Sequence, residues 1–125
     1  DRLKEGGKLL IQSITIADQR FEYYKNNVDF IQRYIFPGGF LPSINVLSQY
    51  MTDYSNLVVE SIDDIGLDYA KTLAHWRNRF LLSWQDILKY GYDEQFKRLW
   101  LYYFAYCEGA FLERSTSAVH LVARK

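Results

Sequence analysis

"KLLIQSITI", residues 8–16, decides what class of fold this chain can have. Isoleucine and threonine lose rotamer freedom in a helix and pack well on a pleated sheet. The run is short, nearly continuous in apolar residues, and lacks helical spacing. It reads as a strand buried on both faces, as in a parallel sheet. Gln12 and Ser13 interrupt it toward its end. Just before it, Gly6-Gly7 reads as a helix stop. The sequence opens "DRLKEGG", without an initiator Met, and so is expected to be the C-terminal piece of a longer protein.

Working outward, residues 18–26 suit a short helix. "VDFIQRYIF" (28–36) places Val28, Ile31 and Ile35 at helical spacing. Pro37 ends that segment, because the residue before a proline avoids the helical conformation. "FPGGFLPS" (36–43) is a loop with unusual polarity: it holds both prolines of the chain, yet also Phe36, Phe40 and Leu41. Gly38-Gly39 reverses the chain, and Ser43 caps a helix over 44–54. "NLVVESID" (56–63) is a second strand. Leu73, Trp76, Phe80, Trp84, Ile87 and Leu88 recur every three or four residues, which predicts one helix over 67–89. Gly91 suits the position after that helix and Asp93 the next N-cap. Phe96, Leu99, Trp100, Tyr103, Cys107, Ala110 and Phe111 then stripe a helix over 94–114. "AVHLVARK" (118–125) is a last strand.

The predicted order is strand 8–16, helical insert 18–54, strand 56–63, helical hairpin 67–114 and strand 118–125. This alternation makes an α/β fold. A long hairpin lets the last strand return antiparallel. A mostly parallel sheet that ends so is compatible with the second half of a Rossmann-like methyltransferase. Three strands alone leave open sheet edges, so further strands are expected upstream.

Composition narrows the function classes. The 125 residues bound the chain to one domain or part of one. Lys+Arg and Asp+Glu both number 15, so there is no basic excess of the kind nucleic-acid domains carry. One cysteine, Cys107, allows no internal disulfide and fits a reducing cytoplasm. No apolar run has the length of a bilayer span, and no secretory signal opens the chain. Aromatic residues make up 18%, eleven of them tyrosine, which means either a core of large side chains or an aromatic-walled pocket. There is no GxGxxG, P-loop, HExxH or zinc-spaced Cys/His set. His75 reads as exposed or partly packed and His120 as structural, Asp18, Asp63 and Asp64 as solvated caps, and Cys107 as a buried, inert thiol.

Three blocks carry a resemblance: "FIQRYIFPGGFLPS" (30–43), "GLDYAKTLAHWRNRF" (66–80) and "YGYDEQFKRLWLYYFAYCEGAF" (90–111). Together with "LKEGGKLLIQSITI", they resemble the C-terminal half of the cyclopropane-fatty-acyl-phospholipid synthases and mycolic acid cyclopropane synthases. The resemblance implies the C-terminal half of a Rossmann-like class I methyltransferase fold, with the cofactor-binding N-terminal half absent. It implies S-adenosylmethionine as methyl donor and an unsaturated phospholipid or fatty acyl chain as substrate. It further implies a bicarbonate ion as the base that completes the cyclopropane ring. The family's anion-holding tyrosine matches Tyr69, and two further contributors match Gln12 and Ile14. Some members carry His where this sequence has Gln12, and an amide does not titrate, although it can still orient an anion.

Tyr69 also follows the second strand by a short turn. That puts it at the sheet's carboxyl edge, where ligands of open α/β sheets bind. As acyl-pocket wall, the resemblance suggests Phe36, Pro37, Leu73 and Tyr103. It implies a cytoplasmic protein peripheral to the inner face of the membrane, and leaves homodimerisation open. Rivals are a related methyltransferase with another substrate and a non-catalytic lipid- or protein-binding module.

Overall fold

Lys8–Ile16 (β1), Val58–Asp64 (β2) and Thr116–Arg124 (β3) form one sheet in the order β1-β3-β2. In the computed structural model, which describes residues 2–125, β3 is antiparallel to both neighbours. β2 starts two residues and ends one residue later than predicted, and β3 starts two and ends one earlier. The last strand returns antiparallel, as expected; because it lies between β1 and β2, which point the same way, no two of these three strands pair in parallel.

Nor is β1 buried on both faces. Its side chains alternate, as a strand's must. Lys8, Leu10 and Gln12 are exposed, and Leu10 is 64% accessible. The apolar run misled because helices cover the β1 side chains of one parity along the strand, but those of the other only near Ile14. The expected helix stop at Gly6-Gly7 is a turn instead. Gly6 has φ +73°, and the Gly7 N–H donates to the Lys4 carbonyl at 2.9 Å. No helix precedes β1 among the described residues.

The insert holds three helices, Asp18–Lys25 (α1), Phe30–Tyr34 (α2) and Ile44–Tyr54 (α3). α2 is shorter than the 28–36 segment because Asp29 caps it. Its carboxylate accepts from the Gln32 N–H at 2.8 Å, and the Gln32 side chain accepts back from the Asp29 N–H at 3.0 Å. Val28 is left outside the helix and exposed. The loop that follows is pinned at several points. Gln32 Nε2 donates to the Gly39 carbonyl (3.1 Å), the Leu41 N–H to the Tyr24 hydroxyl (3.2 Å), and the Ile16 N–H to the Pro42 carbonyl (3.0 Å). Gly38 supplies the left-handed turn at φ +81°.

Ser43 caps α3 as expected, accepting from the Val46 N–H at 3.3 Å while itself almost fully buried. Ser43→Ala is expected to cost about 1 kcal/mol, read as a shift in the urea midpoint without a change in slope.

The hairpin comprises Gly66–Leu82 (α4), Trp84–Leu88 (α5) and Glu94–Leu112 (α6). The helix predicted over 67–89 breaks at Ser83. The break turns Trp84 inward, where its Nε1 donates to Glu94 Oε1 at 3.2 Å. Gly91 (φ +86°) and Asp93, which accepts from the Phe96 N–H at 2.9 Å, shape the turn into α6 as expected. Arg77 and Glu108 pair across α4 and α6 at 2.7 Å.

The helices form two layers on the sheet. Met51 and Leu47 of α3 cover one face with Leu121 and Ala123. On the other face, Ala70 and Leu73 of α4 meet Phe104 and Phe111 of α6 over Ala118. No described helix is long and apolar enough to cross a membrane.

Candidate functional site

An apolar cavity of 430 Å³ opens where α1, the 36–41 loop, α6 and the end of β1 converge. That is within the usual range of about 300–1,000 Å³ for small-molecule sites. β1 contributes Ile14 and Ile16, and the loop contributes Phe36, Phe40 and Leu41. α6 contributes Tyr103, Cys107, Ala110 and Phe111 from one helical stripe. Arg20 and Asn27 bring polarity on its exposed side.

Three titratable groups of the wall, Tyr103, Tyr106 and Cys107, are held neutral by burial. Burial pushes the Tyr103 phenol up to about 12 and the Cys107 thiol up to about 11. Burial raises Tyr106 as well. Cys107 is therefore a thiol, not a thiolate, across the neutral range. At pH 8 it is expected to react with iodoacetamide at least tenfold more slowly than a free thiol, with the rate climbing only as pH nears 11. Mass spectrometry of a time course checks this.

Tyr69 lies beside this cavity, on the first turn of α4. The turn that launches it is tightly held. The Asp64 carboxylate accepts from the Gly66 N–H at 2.8 Å and from the Ser117 hydroxyl. Those bonds, Ser117 first, hold the Asp64 carboxyl below its ordinary range, with Arg114 adding to the effect. Gly66 is required here, since a Cβ would collide with the Ser117 side chain. The Ile65 N–H donates to the Ala118 carbonyl at 2.8 Å, which fixes the turn to β3. The Tyr69 ring then sits 4.9 Å from Phe111 and edge-on to Trp76 at 6.0 Å. Burial raises its pKa, as does Cys107, so it is a hydrogen-bond donor at neutral pH.

Ile14 packs on the same apolar cluster as Tyr69. Ile16 sends its N–H to Pro42, away from β3. Backbone groups alternate along a strand, so the Ile14 N–H also points off that free edge. Gln12 shares the Ile14 face one period back, with its Oε1 3.0 Å from His120 Nε2. The structure thus gathers Tyr69 and Ile14 on one cluster and leaves Gln12 next along the strand.

Of the four wall residues expected, Phe36 and Tyr103 line the cavity and meet edge to face at 6.1 Å. Leu73 does not: it is 1% exposed, on the sheet-facing side of α4 one turn from Ala70, and serves the core. Pro37 does not line it either among the described residues. It ends α2, and its neighbours Phe36 and Phe40 supply the surface. Sequence reasoning passed over Ile16, Tyr24, Tyr106, Cys107 and Ala110 as wall. The 103-107-110 spacing on α6 was the available signal, but core packing produces the same stripe. No group of three metal-ligating side chains occurs among the described residues.

The family model described as mycolic acid cyclopropane synthetase matches residues 1–121. A tuberculostearic acid methyltransferase of Mycobacterium tuberculosis is 35% identical over 109 residues, covering 87% of this chain and 26% of that relative. The cyclopropane-fatty-acyl-phospholipid synthase of Escherichia coli K12 is 43% identical over 89 residues, covering 70% and 22%. The chain therefore spans about a quarter of the length of these relatives. Among solved structures, a mycolic acid cyclopropane synthase complexed with SAH and CTAB superposes with TM-score 0.83 at 22% identity, over 98% of this chain and 46% of that one. A cyclopropane synthase from Mycobacterium tuberculosis gives the same TM-score of 0.83 at 19% identity, with the same coverages of 98% and 46%. The three-stranded sheet and its helices match the C-terminal part of that methyltransferase fold.

Proposed function

The chain belongs to the mycolic acid cyclopropane synthetase family, and from that premise we propose that it is the C-terminal, acyl-binding part of a lipid methyltransferase. The whole enzyme would transfer a methylene or methyl group from S-adenosylmethionine to the double bond of an unsaturated acyl chain. The observation that carries this reading is the apolar, aromatic cavity with the Tyr69 phenol beside it. A phospholipid or fatty acyl chain is the substrate class such a cavity suits, met at the inner face of the cytoplasmic membrane.

The residues present suit an anion such as bicarbonate. The Tyr69 hydroxyl, the Ile14 N–H and the Gln12 amide are all neutral donors, and they bind negative charge without bringing positive charge to a lipid site. Bound there, bicarbonate would supply the base that accepts the proton lost in ring closure. The residues of this chain would hold that anion, seat the acyl chain and keep water from a cationic intermediate, whose charge the aromatic walls favour. They do not fit S-adenosylmethionine, because no glycine-rich turn joins a strand to a helix in this sequence. Its site would be contributed by residues outside this segment.

The test uses the full-length enzyme that carries this chain, with monounsaturated phospholipid and saturating S-adenosylmethionine. Product with one added methylene supports the reading, and unchanged lipid mass overturns it. A second reading, simple methylation of the acyl chain, is favoured by the tuberculostearic acid methyltransferase among the relatives. The two give products of different structure: a ring or a branch.

A further inference from the structure

We propose that His120 is a positioning residue for Gln12: it fixes which end of the Gln12 amide faces the anion site. This rests on the anion-holding reading above. The two residues are 108 apart in sequence, and the β1–β3 register alone sets them directly opposite each other. Their side chains meet at 3.0 Å through Gln12 Oε1 and His120 Nε2.

An amide has a donor end and an acceptor end, and by itself it can present either. Gln12 Oε1 has only lone pairs to offer. It meets the ring favourably only when Nε2 carries a proton. The Gln12 NH₂ group then points away from the ring as a donor, like the Tyr69 hydroxyl and the Ile14 N–H. With the ring protonated at Nδ1 alone, the amide would turn round to donate to Nε2. Its oxygen would then face outward and repel an anion. A neutral ring can carry its proton on either nitrogen; the proposed tautomer has it on Nε2, and that gives the Gln12 amide a fixed polarity.

The experiment uses the full-length enzyme labelled with ¹⁵N-histidine, with the His120 signal assigned by its loss in His120→Gln. We expect the wild-type ring to carry its proton on Nε2, and the Gln12 side-chain NH₂ signals to shift when bicarbonate is added. His120→Leu should bind bicarbonate about tenfold more weakly. His120→Gln, whose own amide can present either end and so fixes no polarity, should also bind bicarbonate more weakly than wild type. A ring protonated at Nδ1 alone, or a His120→Leu variant that binds bicarbonate like wild type, overturns the proposal. If the leucine variant does not fold, the ring measurement on the wild type decides. If turnover depends on bicarbonate but the Gln12 signals stay still, the pairing is unrelated to the anion and only this inference falls. Bicarbonate-independent turnover in the wild type removes both it and the anion-holding reading.

Discussion

Tyr69→Phe, made in the full-length enzyme, is expected to lower turnover about 10- to 150-fold while the protein keeps its stability. The change removes one oxygen atom. The ring keeps its contacts with Phe111 at 4.9 Å and Trp76 at 6.0 Å, so packing is conserved. What would be lost under the proposed function is a hydrogen bond from a neutral donor to an anion, worth about 1.5–3 kcal/mol. If that bond acts in the transition state, it converts to the stated range in rate. The lipid KM should hold, since the cavity wall is untouched. Because burial raises the phenol's pKa, the donor form persists through neutral and mildly alkaline pH and is lost only above the ordinary tyrosine range. Turnover within twofold of wild type would remove the anion-holding role.

Phe111→Ala is expected to cost about 3–5 kcal/mol, a large share of the 5–15 kcal/mol typical of a domain. Phe111 is 3% exposed in the cluster with Ala70, Leu73, Phe104 and Ala118. It also lines the cavity and backs the Tyr69 ring. Truncation would open a void between core and cavity and free the tyrosine. Stability and turnover should therefore fall together, and Phe111→Leu should cost much less of both. Denaturant unfolding reads the first quantity and product formation the second. A loss below about 1 kcal/mol would mean that the cluster repacks and that Phe111 is not its keystone.

The element order was legible because it rests on local signals. Pro37, Ser43, Gly91 and Asp93 punctuate the helices through φ restriction and capping, which act within a few residues. The break at Ser83 was not legible, since it depends on where Trp84 finds Glu94. The burial of β1 was misjudged for a similar reason. Period-2 alternation is invisible when both faces are apolar, and only the packing of α3 shows which face is covered. In the site, Phe36 and Tyr103 could be named because bulky aromatics flank a turn and stripe a helix. Leu73 could not be told from them, since the direction of a side chain on α4 depends on how the hairpin lies on the sheet. The Gln12–His120 contact had no local trace at all; it exists only through register.

The central position of β3 sets the order in which the molecule can be built. Among the described residues, β1 and β2 do not bond to each other, and both pair with Thr116–Arg124 alone. During synthesis, β1, β2 and helices α1 to α6 emerge before the segment that joins the two strands. These three strands cannot join until β3 leaves the ribosome. Contacts of such long range make folding slow and leave strand edges open meanwhile. Nascent chains stalled just before residue 116 should therefore be protease-sensitive across β2 and the helical hairpin, and a short extension that frees β3 should protect both in one step.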